Sequence, residues 1–219
     1  MKQKDTVKRY VIFIFGLVFN AFGVAFVTRA NLGTSPISGI PYSLSLVIPV
    51  LSMGTWAVIF SLLLILLQFL IDRKEADKVQ LGIEIVISFC FGYGIDLSMF
   101  CLQALHPSSY PLQLAVPIVG CCIIAFGAYL EVIADVVMLP GDAFVRAVVK
   151  AVKKEYGGIR VLSDISMTVI AGVICLVFLR KLSGVREGTV FSALLVGNMV
   201  KLFTRTLAPL TKRLLPEEE

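Results

Sequence analysis

The sequence predicts an all-α membrane protein of about six transmembrane helices, arranged as two inverted three-helix repeats. Composition is the first reason: of the 219 residues, 58% are hydrophobic and 16% are charged, whereas soluble domains carry about 45–50% apolar and about 25% charged residues. The second reason is that the apolar residues are gathered into runs near the roughly 20 residues that cross about 30 Å of hydrocarbon. The third is that the order of these runs repeats in the second half of the chain.

Six apolar runs have the length of a membrane span or come close to it. They are Tyr10–Thr28, Thr55–Ile71, Val79–Cys101, Leu112–Ala134, Val161–Leu179 and Gly188–Leu207. The first follows a basic segment and could be a signal peptide, but it is long for one and lacks a clean small-x-small cleavage site, so we expect an uncleaved helix. The last is interrupted by Lys201 and Arg205, which can snorkel towards the membrane surface.

Each half also contains a segment that is too broken for a simple span. Pro36–Leu51 carries three prolines and several serines. Pro140–Tyr156 reads PGDAFVRAVVKAVKKEY, with apolar residues at helical spacing and a basic opposite side. This pattern predicts an amphipathic helix that lies on the membrane surface or lines a polar cavity. Whether the two segments are re-entrant or superficial stays open at this point.

Basic residues predict the orientation of the spans. With six spans and a cytoplasmic N-terminus, most lysines and arginines fall on the cytoplasmic side, in segments 2–9, 73–78, 146–160 and 205–213. The opposite side receives Arg29 and the discordant cluster Arg180–Arg186. The positive-inside rule therefore favours cytoplasmic N- and C-termini.

The two halves resemble each other when positions 104 residues apart are compared. Gly16 then meets Gly120, Ala21-Phe22-Gly23 meets Ala125-Phe126-Gly127, and Pro36 meets Pro140. We interpret the chain as one membrane domain, 1–219, with repeats at 10–101 and 112–207. Three spans per repeat invert the second repeat, an arrangement typical of secondary transporters. The alternative is a duplicated scaffold that transports nothing.

Short motifs resemble a known family. They are Asn31-Leu32-Gly33-Thr34-Ser35-Pro36 after the first span, Asp164 near the start of a later span, and Glu187-Gly188-Thr189 at the start of the last. With these residues the sequence resembles the YczE/YitT family of bacterial multi-spanning membrane proteins over nearly the whole chain. The resemblance implies a protein of the bacterial cytoplasmic (inner) membrane, and members are often supposed to be transporters. It implies no particular substrate.

Polar residues near the broken segments are the candidate substrate ligands. We expect Ser35 to cap the helix that starts at Pro36, and Asp142 to cap a helix that starts near Ala143. Because helix N-termini suit anionic solute groups, both residues are candidate ligands. Ordinary caps and interhelical hydrogen bonds are the alternative roles. The candidates for substrate binding are Asn20, Asn31, Thr34, Ser35, Ser38, Asp135, Asp142 and Asn198.

Three acidic residues within spans are candidates for ion or proton coupling, namely Glu84, Asp96 and Asp164. A charge at the bilayer centre costs roughly 2.5–3.5 kcal/mol on insertion scales, which favours functional reasons for keeping it. Snorkelling or pairing with a nearby basic residue is the alternative for each.

The sequence therefore predicts a secondary transporter of a small organic solute, with the path near Asn31–Ser38 and Asp135–Asp142. The alternative is a non-transporting accessory, assembly or sensor protein that docks through the basic amphipathic helix. No catalytic motif is present, and the five cysteines lack metal-ligand spacing, so we expect no enzyme, cofactor or metal. The expected partners are the lipid bilayer and the solute, without nucleic acid. Whether the chain forms a homodimer is left open.

Overall fold

The computed structural model describes residues 3–30, 32–73, 77–105, 107, 110–182 and 184–208. This described part of the chain is helical and contains no strand. Its α-helices are α1 Gln3–Arg29, α2 Pro36–Val47, α3 Met53–Asp72, α4 Lys78–Cys101, α5 Tyr110–Ala134, α6 Pro140–Val152, α7 Tyr156–Ile174 and α8 Glu187–Thr206. A π-helical stretch, Cys175–Leu179, continues α7. Each predicted apolar run falls on one long helix and ends within a residue of it, counting the π-helical stretch with α7, although several helices start earlier than the run.

Five of the six predicted spans form helices that are long and apolar enough to cross a membrane: α1, α3, α4, α5, and α7 with its π-helical continuation. Many of their large apolar side chains point outwards, including Leu97, Phe100 and Phe178, each at least 65% exposed. Such outward apolar surface is what a lipid-facing helix presents. The sixth predicted span, α8, forms a helix of 20 residues but is not among the five. Its charged residues include Lys201 and Arg205.

The two broken segments form short helices, α2 and α6, each with a proline in its first turn. At about 1.5 Å per residue they are roughly 20 Å long, which is less than the thickness of the hydrocarbon core. Helix α2 packs on α3 and α7, and α6 packs on the same two helices. Both segments therefore lie between long helices rather than apart from them.

The amphipathic character predicted for α6 is confirmed, but its buried face consists mostly of small residues. Gly141, Ala143, Val145 and Ala147 are buried, whereas Arg146 is exposed. The small side chains allow close packing with neighbouring helices, which is common in membrane proteins. Small buried residues of α6 therefore pack against its neighbouring helices.

Helices α1 and α5 form the central pair and run antiparallel. A Cβ placed on Gly16 would lie 2.9 Å from the carbonyl oxygen of Gly127, and a Cβ on Gly23 would lie 2.9 Å from that of Gly120. The two backbones approach this closely because all four positions lack a side chain. Around this pair, α1 packs on α4 and α5 packs on α8.

Candidate functional site

A polar cavity of about 490 Å³ opens at one end of the molecule. We call it the polar cavity. It lies between the start of α4, the end of α5, the loop 135–139, and the starts of α6 and α7. Its charged and polar lining consists of Asp77, Gln80, Glu131, Asp135, Asp142, Arg146 and Tyr156, and the remaining walls are mostly aliphatic. The volume is within the range of pockets that hold small organic molecules.

Two of the acidic residues stand where α5 ends. Asp135 follows the last residue of the helix with φ +46° and is exposed at the cavity. Aspartate tolerates this left-handed conformation because its short polar side chain can hydrogen-bond locally. One turn earlier, Glu131 accepts a hydrogen bond from Nδ2 of Asn20 on α1, at 3.2 Å to Oε1. Asn20 is itself buried, so it orients a carboxylate that lines the cavity. Asn20 was predicted as a ligand, whereas Glu131 was not.

Asp142 is not the cap that the sequence suggested. Helix α6 begins at Pro140 with Leu139 in the capping position, so Asp142 lies inside the first turn. Pro140 explains the earlier start, since proline suits the first turn of a helix. The carboxylate of Asp142 forms an ion pair with Arg160 of α7. Arg160 also pairs with Asp164, at 3.5 Å from Nε to Oδ2. Asp164 thus has the basic partner that the alternative interpretation expected.

Serines and threonines of α1, of the start of α2 and the turn before it, and of α8 form a second polar group, the hydroxyl cluster. Its members are Thr28, Thr34, Ser35, Ser38, Thr189 and Ser192, and all are buried. Thr28 and Thr34 are joined through their hydroxyl oxygens at 3.0 Å, and Ser192 donates to the carbonyl of Thr34 at 3.4 Å. None of these residues lines the polar cavity.

Ser35 occupies the capping position of α2, as predicted, but its hydroxyl donates to Ser38 at 3.1 Å instead of accepting from the backbone. Two predicted ligands remain. Asn31 is outside the described residues. Asn198 is exposed and donates to the carbonyl of Leu194 within its own helix.

The starts of α2 and α6 meet inside the protein. A Cβ placed on Gly141 would collide with the side chain of Ile37. The first turns of both short helices are therefore adjacent, although they belong to different halves of the chain. This contact joins the segment that carries the hydroxyl cluster to the segment that lines the polar cavity.

The two acidic residues of α4 have different surroundings. Asp96 accepts hydrogen bonds from the Ser52 hydroxyl at 2.6 Å and from the backbone N–H of Gly54 at 2.8 Å. These bonds connect α4 to the start of α3. Glu84 is fully buried and is bonded to the amides of Gln68 and Gln80.

Within the described ranges, no group of three His, Cys, Asp or Glu side chains is arranged to hold an ion. The described residues form an open pocket lined mainly by acidic groups at one end and, apart from it, a buried group of hydroxyls.

Comparison with known proteins places the chain in a family. The model of a family described as a family of unknown function, DUF6198, matches residues 7–205. The chain belongs to the DUF6198 family. A curated relative of this DUF6198 chain is the uncharacterized protein YyaS of Bacillus subtilis (strain 168), 30% identical over 95 residues. That match covers 43% of this chain and 45% of the relative. No solved structure matches the DUF6198 chain.

Proposed function

We propose that this DUF6198 member is a secondary transporter of a small organic solute in the bacterial inner membrane. In this proposal two inverted repeats, 10–101 and 112–207, alternate the access of a central site. The resemblance to the YczE/YitT family supports the inner-membrane location, and α8 serves as the sixth span. The N- and C-termini are cytoplasmic, which puts the mouth of the polar cavity on the cytoplasmic side.

The packing of the helices supports the inverted repeat. If each residue corresponds to the one 104 positions later, α1 to α4 correspond to α5 to α8. The antiparallel contact of Gly16 with Gly127 in this correspondence is equivalent to the contact of Gly120 with Gly23. The pairing of α2 with α7 exchanges with that of α6 with α3, and the pairing of α1 with α4 exchanges with that of α5 with α8. An axis in the membrane plane relates such pairs.

The observation that carries the proposal is a difference between equivalent positions. Residues 131, 138, 142 and 146 line the polar cavity. Subtracting 104 gives their counterparts in the first repeat, Val27, Thr34, Ser38 and Tyr42. All four are buried, with exposures of 0%, 0%, 6% and 8%. One side of the molecule is therefore open and the equivalent side is closed, as alternating access requires of a single conformation.

Specific contacts keep the second side closed. The backbone N–H of Gly188, at the start of α8, donates to the carbonyl of Leu32 at 2.8 Å. Gly33 has φ +101° and lies against Thr189, where a side chain on Gly33 would collide. In the opposite conformation these contacts separate, and the loop 135–139 closes over the polar cavity.

The lining of the polar cavity favours a solute with a positive charge. Asp135 stands exposed at the cavity and Glu131 lies deeper, whereas Asp142 is already paired with Arg160. Arg146 is the cationic side chain of the lining. A cleft lined by one sign of charge concentrates ligands of the opposite sign. Aliphatic walls around these carboxylates suit an organic amine better than an inorganic cation.

Thiol labelling of equivalent positions tests the proposal. In a chain whose five cysteines are replaced, Met138→Cys should react with a membrane-impermeant reagent added from the cytoplasmic side, and Thr34→Cys should be protected. A transported amine, found by thermal-shift screening, should change both rates in opposite directions. Leu97→Cys is the control, because it is exposed but lies on a lipid-facing surface. Equal labelling of positions 34 and 138 from one side, unaffected by any amine, would contradict the proposal.

The alternative of a docking protein receives less support. It rests on the basic amphipathic helix as a docking surface, and one side of α6 is occupied by α3 and α7 while its basic residues are exposed.

A further inference from the structure

Glu84 and Gln68 form a buried pair in which one polar atom of each side chain is hydrogen-bonded and the other is not. Glu84 on α4 has no exposed surface, and Gln68 on α3 is 7% exposed. Nε2 of Gln68 donates to Oε1 of Glu84 at 3.4 Å, and Nε2 of Gln80 donates to the same oxygen at 3.1 Å. Oε2 of Glu84 and Oε1 of Gln68 are both buried without a hydrogen-bond partner. Buried polar atoms are rarely left in this state.

Within the described residues, no hydrogen bond or ion pair joins Glu84 to a lysine or arginine. On α1, Arg9 donates to the carbonyl of Ala134 and Arg29 to that of Met99. On α3 the acidic group is Asp72, at the end of the helix. Phe13 and Leu17 of α1 pack in a hydrophobic cluster with Ile83 and Ile87 of α4. An ionised carboxylate would stand here with two neutral amides as its only partners, which is costly in a span.

The two unpartnered atoms are those that a proton would join. A carboxylic acid and a primary amide form a ring of two hydrogen bonds, N–H to carbonyl and O–H to carbonyl. The first of these exists between Gln68 and Glu84. We infer that Glu84 is a proton-binding site: a proton on Oε2 donates to Oε1 of Gln68 and completes the ring between α4 and α3. Both orphaned oxygens are then satisfied and the buried charge disappears.

A metal cation suits the site less well than a proton. Hard cations such as Ca²⁺ and Mg²⁺ take about six or more oxygen ligands, and here two oxygens are free while amide N–H groups occupy the third. A proton needs one donor oxygen and one acceptor oxygen, which is what remains.

The site has a connection to the polar cavity. Gln80 lines that cavity and donates to Glu84. The side chain of Gln80 therefore stands between the buried proton and the open cavity. If the proposed function holds, this proton is the coupling ion: it leaves through the cavity to the cytoplasmic side when Gln80 turns away, and its replacement binds from the other side of the membrane in the opposite conformation. The protonation of Glu84 in this conformation does not depend on that function, whereas the coupling does.

Infrared difference spectroscopy of the purified full-length protein in lipid nanodiscs tests the site. The spectrum of wild type minus that of Glu84→Gln at neutral pH should contain the carbonyl band of a protonated carboxylic acid, shifted by exchange into D₂O. Glutamine preserves the ring as an amide pair, so the fold should persist. Glu155→Gln is the control, because Glu155 is exposed and its removal should change carboxylate bands only. A difference spectrum that contains carboxylate bands alone would overturn the inference.

A second variant examines the ring without removing Glu84. Gln68→Met keeps the length of the side chain but removes the acceptor, so the acid band should remain and move to higher frequency. An unmoved band would mean that the acid is not bonded to Gln68. Proton-coupled uptake of the amine found by thermal-shift screening is measured separately, in proteoliposomes. Absence of uptake counts against the proposed function and leaves the infrared result unchanged.

Discussion

The close approach of α1 and α5 predicts a specific cost for adding one methyl group at Gly23. The new Cβ would lie 2.7 Å from the backbone nitrogen of Ile124 and 2.9 Å from the carbonyl oxygen of Gly120. Because both atoms belong to the backbone, no side-chain rotation relieves the contact and the helices must separate. Overpacking of this kind costs about 1–3 kcal/mol. Replacing glycine by alanine inside a helix recovers about 1 kcal/mol, so Gly23→Ala should be destabilised by about 0–2 kcal/mol.

The matched control is Gly197→Ala on α8, where no atom lies within 4 Å of the new Cβ. This variant should show only the helix-propensity gain of about 1 kcal/mol. The two variants should therefore differ by about 1–3 kcal/mol, which is the overpacking term alone. Reversible unfolding of the protein in mixed micelles by increasing denaturing detergent measures both. The repeat also predicts that Gly127→Ala, at the position equivalent to Gly23, behaves like Gly23→Ala. Equal stability of the Gly23, Gly127 and Gly197 variants would refute the antiparallel pair.

Three further predictions concern the ends of the helices and the polar cavity. Asp96→Asn should lower the unfolding free energy by about 1.5–3 kcal/mol, because Asp96 accepts two charge-assisted bonds. The same variant should leave amine binding unchanged, and loss of binding would give Asp96 a functional role. Asn20→Ala should cost about 0.6–1.7 kcal/mol, the range for interhelical hydrogen bonds, and weaken amine binding through Glu131, as isothermal titration would measure. Gly188→Val would place a Cβ 2.5 Å from the carbonyl oxygen of Leu32, so it should make Thr34→Cys reactive, whereas Gly197→Val should not.

The helices were predictable because membrane spans depend on composition and length. Each apolar run became one helix, since backbone groups in lipid must bond within their own segment. Pro36 marked the start of α2, because proline suits a first turn, whereas α6 was predicted to start near Ala143 and starts at Pro140. Sequence could not reveal that the buried face of α6 is made of small residues. That choice follows from how closely α3 and α7 approach it, which is a property of the assembled fold.

The candidate site was predictable in its segments but not in its pairs. The sequence pointed to both broken segments, and Asp135 and Asp142 do line the polar cavity. Contacts between distant residues had no local signal: Glu131 lies 111 residues from Asn20, and Arg160 reaches Asp142 across the turn between α6 and α7. Glu84 could be recognised as a costly residue from the sequence, whereas its partner Gln68 on another helix could not.

The most direct test of the inverted repeat is to determine on which side of the membrane two turns lie. Asp77→Cys, before α4, and Lys181→Cys, before α8, occupy corresponding places in the two repeats, and each can be introduced into a cysteine-free chain. An impermeant thiol reagent applied to vesicles of known orientation should label Asp77→Cys from the cytoplasmic face and Lys181→Cys from the opposite face. Labelling of both positions from the same face would contradict the inversion and the alternating-access mechanism together.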